Sequence, residues 1–436
     1  MTLGAAEPVT AGLSRAGDLP ATSKAWLATL VAGTGMGFDA YVINLPVILV
    51  AGVATKFHTS TLHIASIQSI FLIGYFIGTL FFSVAADYVG RRITLAVSII
   101  GYSTATVVTG LVPTLFLFAV GRFVTAFLGG GEQSVGCVYA CEAWPDRWRG
   151  WGTGNMFSFY PLGVILVLLA GIYVEPRFGV TAPFAIAGVM GLAILVLRYY
   201  VLESGRFTAT KAAMETHGVR RKFPMLEVVR TRSLRRGWLG ALIINMGDNF
   251  TYHGLSVAFI LYLHGVFNLS GPHLFGLLVP LYVVQFVFCV VGSYLSDIVG
   301  RRAVGVACSV GTIVALVAML QQRSLTATLV LAAVAQGLAL GPAWSVKLVL
   351  SPEVFPTEIR ASGIAMTLGL GRIAAFAAPV AAAAGIASLG IHHVLYIYLG
   401  SLLVTLVGYL IAPDLRRQPI ADLIPSDAAA AGVATA

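Results

Sequence analysis

Three carboxylates and two arginines stand inside long apolar stretches of this chain: Asp39, Glu132, Asp248, Arg122 and Arg372. A charge near the centre of a bilayer costs at least about 2.5–3.5 kcal/mol on insertion scales, so each one needs a partner or a task. A buried carboxylate takes up or releases a proton as its surroundings change. An arginine keeps its proton and needs a fixed anion or a passing one. Asp39 lies a little past the middle of its apolar run, where Gly33, Gly35 and Gly37 let a neighbour approach closely. It is expected to accept a proton, the alternative being a structural ion pair. Glu132 is a second protonation site or a wall of the substrate site. Arg372 faces either a carboxylate of the protein, Asp248 or Glu132, or the carboxylate of a substrate. Asp248 and Asn249 are followed within a turn by Tyr252 and His253, a polar and aromatic cluster suited to a cavity wall. His253 can exchange protons near neutral pH, although a single histidine is more often hydrogen-bonded scaffolding. Tyr75, Gln285 and Trp344 rank below the charges as substrate contacts, because aromatic residues in apolar helices are usually packing. Lys347, nearer the cytoplasmic end of its helix, could snorkel, or could still meet the substrate on its way in.

The elements that carry these residues are legible from composition. The chain has 436 residues, 58% hydrophobic and 10% charged. A soluble chain has roughly 25% charged residues, so lipid must be the solvent here. The apolar runs are about 20 residues long without strict alternation, which makes them membrane-spanning helices. Twelve are expected, near 26–50, 62–86, 93–111, 115–142, 152–174, 181–202, 238–263, 274–296, 303–320, 327–350, 362–386 and 393–412. Met1 to Ser23 has no apolar core of a cleavable signal, so the first run is expected to remain as a span. The net charge of +9 does not indicate nucleic acid. Of 27 Lys and Arg, 20 fall on the side of the termini and three (Lys56, Arg177, Arg323) on the other, with four inside spans. That distribution places both termini in the cytoplasm. The stretch Glu203 to Arg236 carries nine basic residues and reads as a solvated linker between six spans and six. Within it Pro224 to Val229 suits a short interfacial helix. Cys137, Cys141, Cys289 and Cys308 sit in apolar segments without the further ligands a metal would need. No phosphate-binding glycine loop with lysine is present, so nucleotide coupling is unsupported.

The chain is also internally repeated. Asp87-Tyr88-Val89-Gly90-Arg91-Arg92 returns 210 residues later as Asp297-Ile298-Val299-Gly300-Arg301-Arg302. Glu142 with Pro145 and Arg149-Gly150 returns, offset by 211, as Glu353 with Pro356, Arg360 and Gly363. Such duplication marks secondary transporters. Positive charge alone explains the arginines but not the aspartates or glycines. The sharper expectation is a conformational latch at one face, formed by Asp87, Arg91, Arg92, Glu142 and Arg149 with Asp297, Arg301, Arg302, Glu353 and Arg360.

These loops resemble the signature of the major facilitator superfamily. So does Gly121-Arg122 with Gly129, Gly131, Tyr139, Glu142, Pro145 and Arg149-Gly150, and its counterpart Pro352-Glu353, Pro356-Thr357, Arg360 and Gly363. Leu202-Glu203-Ser204-Gly205-Arg206 is similar to the family's segment after span six, without its prolines. The resemblance implies an all-α polytopic membrane protein of two pseudo-symmetric six-helix bundles. It also implies a proton-linked Asp39–Arg122 pair of the sugar-porter kind, and a basic residue in span eleven that meets an anionic substrate. The sugar-porter pattern of span seven is absent, with Asn245-Met246-Gly247-Asp248-Asn249 in its place, and the antiporter pattern of span five is poorly met.

The resulting expectation is a transporter, not an enzyme: a proton-coupled symporter of a small organic anion such as an aromatic or other monocarboxylate. A sugar or polyol symporter is the alternative, and a drug/proton antiporter a weaker one. Asp39, Arg122 and Glu132 would couple protons. No cofactor beyond the proton is expected, and the protein would act as a monomer in the inner membrane. Its parts are a tail 1–25, bundles 26–202 and 238–412, a linker 203–237 and a tail 413–436.

Overall fold

The computed structural model describes residues 23–199, 204–216, 224–269, 271–390, 395–419 and 421. Among them the secondary structure is helical throughout. The spans run as α1 (Ser23–Ile48), α2 (Thr61–Val89), α3 (Arg91–Leu111), α4 (Leu115–Ala143), α5 (Arg149–Phe178) and α6 (Thr181–Tyr199) in the first half. The second half contributes α7 (Arg232–Phe267), α8 (Gly271–Ile298), α9 (Arg301–Leu320), α10 (Leu325–Glu353), α11 and α12 (Tyr396–Ile411). Helix α11 passes from Arg360–Ile364 through a π turn, Ala365–Gly369, into Leu370–Leu389. Ten helices among the described residues are long and apolar enough to cross a bilayer. The polar α7 and the 16-residue α12 complete the twelve.

Lipid as solvent turns the helices inside out. On α3 the polar residues Thr94, Ser98, Tyr102 and Thr106 recur every fourth position and are buried. Ile93, Val97, Ile100 and Val108 face outward, each about half exposed. Spacing of four residues keeps a stripe on one helix face. The halves meet where α2 packs on α11 and α5 packs on α8 and α10.

Two glycines make the repeated loops possible. Gly90 (φ 112°, ψ 160°) and Gly300 (φ 119°, ψ 152°) join α2 to α3 and α8 to α9 with the same backbone. That region is open only to residues without a Cβ. Helix α10 breaks at Gly341-Pro342, and beside the break Gln285 of α8 donates Nε2–H to the Leu340 carbonyl at 3.1 Å. Gln285 is thereby tied to a helix break. Two flanking segments depart from expectation. The linker contains Gly205–Thr216, whose Phe207 ring lies 4.2 Å from the Arg91 guanidinium and is buried. One face of this helix, with Phe207, Thr210 and Met214, packs against the bundle, while Thr208, Lys211, Glu215 and Thr216 stay exposed. The expected interfacial helix forms at Pro224–Arg230. Glu203, Arg220-Arg221-Lys222, the first 22 residues and the chain beyond 421 lie outside the described residues. After α12 the chain crosses the Asp87/Asp297 face: Arg149 donates to the Gln418 carbonyl at 2.8 Å and the Thr357 amide to that of Ala421 at 2.9 Å.

Candidate substrate and proton site

The repeated motifs close one face by reciprocal contacts across the halves. Asp87 of α2 accepts the Ser362 amide of α11 at 2.8 Å. Asp297 of α8 accepts the Gly150 and Trp151 amides of α5 at 3.0 and 2.6 Å. Each carboxylate thus sits on the free N–H groups at the start of a helix from the other half, where the helix dipole favours negative charge. Glu142 bridges Arg91 of its own half at 3.1 Å and Arg360 of the other at 3.0 Å. Glu353 bridges Arg301 at 3.0 Å and Arg149 at 2.8 Å. All eight groups are buried. Arg92 and Arg302, expected among them, are exposed and outside the octet, because the helical turn after each glycine aims only the first arginine inward.

At the opposite end a cavity of about 460 Å³ opens between the halves. Its wall is mostly apolar, with Leu255, Phe259 and Leu278, and Asn44, Tyr252, Tyr282 and Gln336 add polar groups. Tyr252 of α7 shares a hydrogen bond with Tyr160 of α5 at 2.6 Å, and Tyr160 also accepts from Asn44 at 3.4 Å. Around Trp344 of α10 stand Phe157, Tyr252 and Tyr160, with ring centroids at 5.0, 5.3 and 6.4 Å. These four rings come from both halves and pack against one another as one buried cluster, of which Tyr252 also lines the cavity. Lys347 lies 3.2 Å from the Trp344 ring centroid, one turn along α10. It is 1% exposed, so it does not snorkel; α10 is buried on every side from Pro342 to Glu353.

The buried charges are arranged differently from expectation. Asp39 accepts hydrogen bonds from Tyr75 Oη at 2.8 Å and Tyr102 Oη at 2.9 Å. Arg122 does not ion-pair with it. Arg122 instead donates to the Val42 carbonyl at 3.2 Å and lies 4.0 Å from the Phe71 ring centroid. Val42 is about one helical turn beyond Asp39, and two tyrosines already fill the carboxylate. Glu132 meets Arg198 of α6 through two hydrogen bonds, 2.9 and 2.5 Å. Both stand against Gly35, where a Cβ would strike them, so Glu132 joins helices within one half and does not face the cavity. Gly33 and Gly37 similarly make room for Phe159 of α5.

Arg372 pairs with neither Asp248 nor Glu132. Among the described residues it has no carboxylate within 4.0 Å; it donates to Gln133 Oε1 of α4 and lies 4.1 Å from the Tyr75 ring centroid. A buried cation is held by a neutral amide and an aromatic face. Tyr75 links this cation to Asp39, ring to one and hydroxyl to the other. Asp248 has Lys347 at 3.8 Å. Several buried polar atoms here lack hydrogen-bond partners among the described residues: Asp248 Oδ2, Lys347 Nζ, Asn249 Oδ1, His253 Nε2 and Trp344 Nε1. Buried polar groups are normally satisfied, so this cluster is prepared for a ligand or water. Reading the sequence alone missed Tyr102, Gln133 and Arg198 as partners. The polar stripe of α3 was the signal for Tyr102; for the other two only their apolar surroundings hinted at a role.

Two six-helix halves, a mid-bundle site between them and a closed face opposite an open one define a membrane transporter. The family profile described as Major Facilitator Superfamily matches residues 25–290 and 250–431, and the chain belongs to that family. A Bacillus subtilis relative bearing the name of a niacin/nicotinamide transporter is 26% identical over 353 residues, covering 80% of this chain and 86% of its own. The cis,cis-muconate transport protein of Acinetobacter baylyi is 24% identical over 357 residues, 81% and 84% of the two chains. The proline/betaine transporter of Escherichia coli K12 is 27% identical over 332 residues, 70% and 66% of the two. Among solved structures, the proton:xylose symporter XylE aligns with a TM-score of 0.74 at 18% identity, over 92% of this chain and 98% of that one. It shares the fold.

Proposed function

We propose that this transporter carries a small organic anion, aromatic or otherwise unsaturated, into the cell together with protons. The observation that carries the reading is Arg372: a buried, permanent cation between the halves with no carboxylate partner among the described residues. A substrate carboxylate supplies the missing charge. The aromatic cluster of Phe157, Tyr160, Tyr252 and Trp344, which reaches the cavity wall at Tyr252, suits a flat unsaturated body. Relatives named for niacin and for muconate, both carboxylates, support the same substrate class. Asp39 is the proton acceptor and Tyr75 connects it to Arg372. Arrival of the anion weakens the hold of Arg372 on the Asp39 region and favours its protonation. Arg122, one turn away and stacked on Phe71, reaches Asp39 only in another conformation. The octet of Asp87, Arg91, Glu142, Arg149, Asp297, Arg301, Glu353 and Arg360 is the latch that opens when the halves rock.

The surplus of Lys and Arg on the latch side supports a cytoplasmic latch and cytoplasmic termini in the inner membrane. On that orientation the cavity faces outward. The test is uptake of labelled nicotinate, benzoate and xylose into energised vesicles. Accumulation of an acid that a protonophore abolishes is the expected result. Accumulation of xylose with neither acid transported overturns the reading.

A further inference from the structure

A second buried carboxylate stands in the other half from Asp39, with different surroundings. Asp248 of α7 and Lys347 of α10 face each other at 3.8 Å, with side chains 5% and 1% exposed. This is an ion pair by distance but not a hydrogen-bonded one: among the described residues Asp248 Oδ2 and Lys347 Nζ both lack hydrogen-bond partners. Buried ion pairs offset their desolvation only with good geometry and satisfied donors. This pair has neither, so it is poorly suited as a static brace. Its other neighbours are neutral groups and one permanent cation. Around Asp248 stand the Thr405 hydroxyl and Tyr409 of α12 and Cys308 of α9. Towards Lys347 stand Arg372 of α11 and His253 on α7 itself. Lys347 also rests on the face of Trp344, whose ring meets Tyr252 of the cavity wall. The ammonium thus stands between Asp248 and the aromatic cluster behind that wall.

We infer that Asp248 is a substrate-operated proton site, loaded when the anion takes Lys347 away from it. This rests on the organic-anion reading of the same chamber. In the empty chamber Lys347 and Asp248 are a charged pair with net charge zero. An incoming carboxylate that bridges Arg372 and the Lys347 ammonium leaves Asp248 buried without a cation. A lone buried carboxylate is costly, and one proton from the open side neutralises it. Charge balances at the pair: one anion and one proton enter, and Lys347, Asp248 and the anion together remain at net zero. When the anion departs at the other face, Lys347 returns to Asp248 and the proton leaves with the substrate. Proton loading is thus tied to the presence of cargo, separately from any loading of Asp39.

Linkage gives the measurable consequence. If binding takes up one proton, affinity falls as pH rises, by up to tenfold per pH unit where the free site is unprotonated. The experiment measures binding of nicotinate and benzoate to the purified protein from pH 6.5 to 8.5, with proton uptake read by a pH dye in weak buffer. The wild type is expected to show the slope and to take up protons with each acid. Asp248→Asn is expected to lower the slope and the uptake by one proton per anion, while Asp39→Asn retains that anion-linked proton. Acid binding with a flat wild-type profile overturns the inference whatever the variants do. A slope and uptake undiminished by Asp248→Asn, or removed altogether by Asp39→Asn, overturn it as well. Failure of either acid to bind at any pH overturns the anion reading and this inference with it.

Discussion

Asp39 is held by two tyrosine hydroxyls, Tyr75 and Tyr102, and among the described residues by no cation within ion-pair distance. A carboxylate so placed responds to remote charge, above all to Arg372 across the Tyr75 ring. Asp39→Asn removes the titrating group with little change of shape. Proton-driven accumulation should be lost while substrate exchange across the membrane persists, measured as counterflow in vesicles; undiminished accumulation would exclude Asp39 as the proton site. Arg372→Gln removes a charged donor worth about 1.5–3 kcal/mol. Carboxylate affinity should fall by roughly 10- to 100-fold, with the fold intact by circular dichroism, and unchanged titrations would argue against substrate contact. The positions of these two residues follow from sequence because a charge in an apolar run is conspicuous. Their partners do not. Glu132 reads from the sequence as a second protonation site or part of the substrate site with no visible partner; in the fold it is bonded to Arg198, because helix rotation about its axis decides which neighbour a side chain meets.

The helices convert these residues into a two-sided machine. Their starts and ends were visible within a few residues, since lipid demands unbroken apolar runs. The central position of α10 is not visible in the sequence: every residue from Pro342 to Glu353 is buried, Lys347 among them. The octet depends on the N-termini of α5 and α11 meeting α8 and α2. Removing one partner of a buried charge pair typically costs about 3–5 kcal/mol. Glu353→Ala should therefore open the latch face. Cys137 reports it, because its thiol lies between the halves and donates to the Leu348 carbonyl at 2.7 Å. With Cys141, Cys289 and Cys308 replaced by Ala, alkylation of Cys137 should be slow in the otherwise wild-type chain and faster by at least tenfold after Glu353→Ala. The chain after α12 straps the same face through Gln418 and Ala421. Deleting residues after Pro413 should raise the same alkylation rate by a smaller factor; an unchanged rate would mean the strap adds nothing to closure.

The whole molecule repeats one arrangement twice and then departs from it. The octet is reciprocal down to which helix N-terminus each aspartate caps. The charged interior is not: Asp39 with two tyrosines lies in one half, and Asp248, Lys347 and Arg372 in the other. The distribution of basic residues predicts that a fluorescent protein fused to the C-terminus will mature and fluoresce in the cytoplasm, whereas an alkaline phosphatase fusion there will be inactive. Class of protein, helix number, duplication and the identity of the costly charges are all properties of the chain itself, because hydropathy and repetition are local and additive. Which charges touch, which face is closed and which cations lack an anion are not local. They depend on the rotation, tilt and breaks of packed helices, and these follow from contacts between residues hundreds of positions apart.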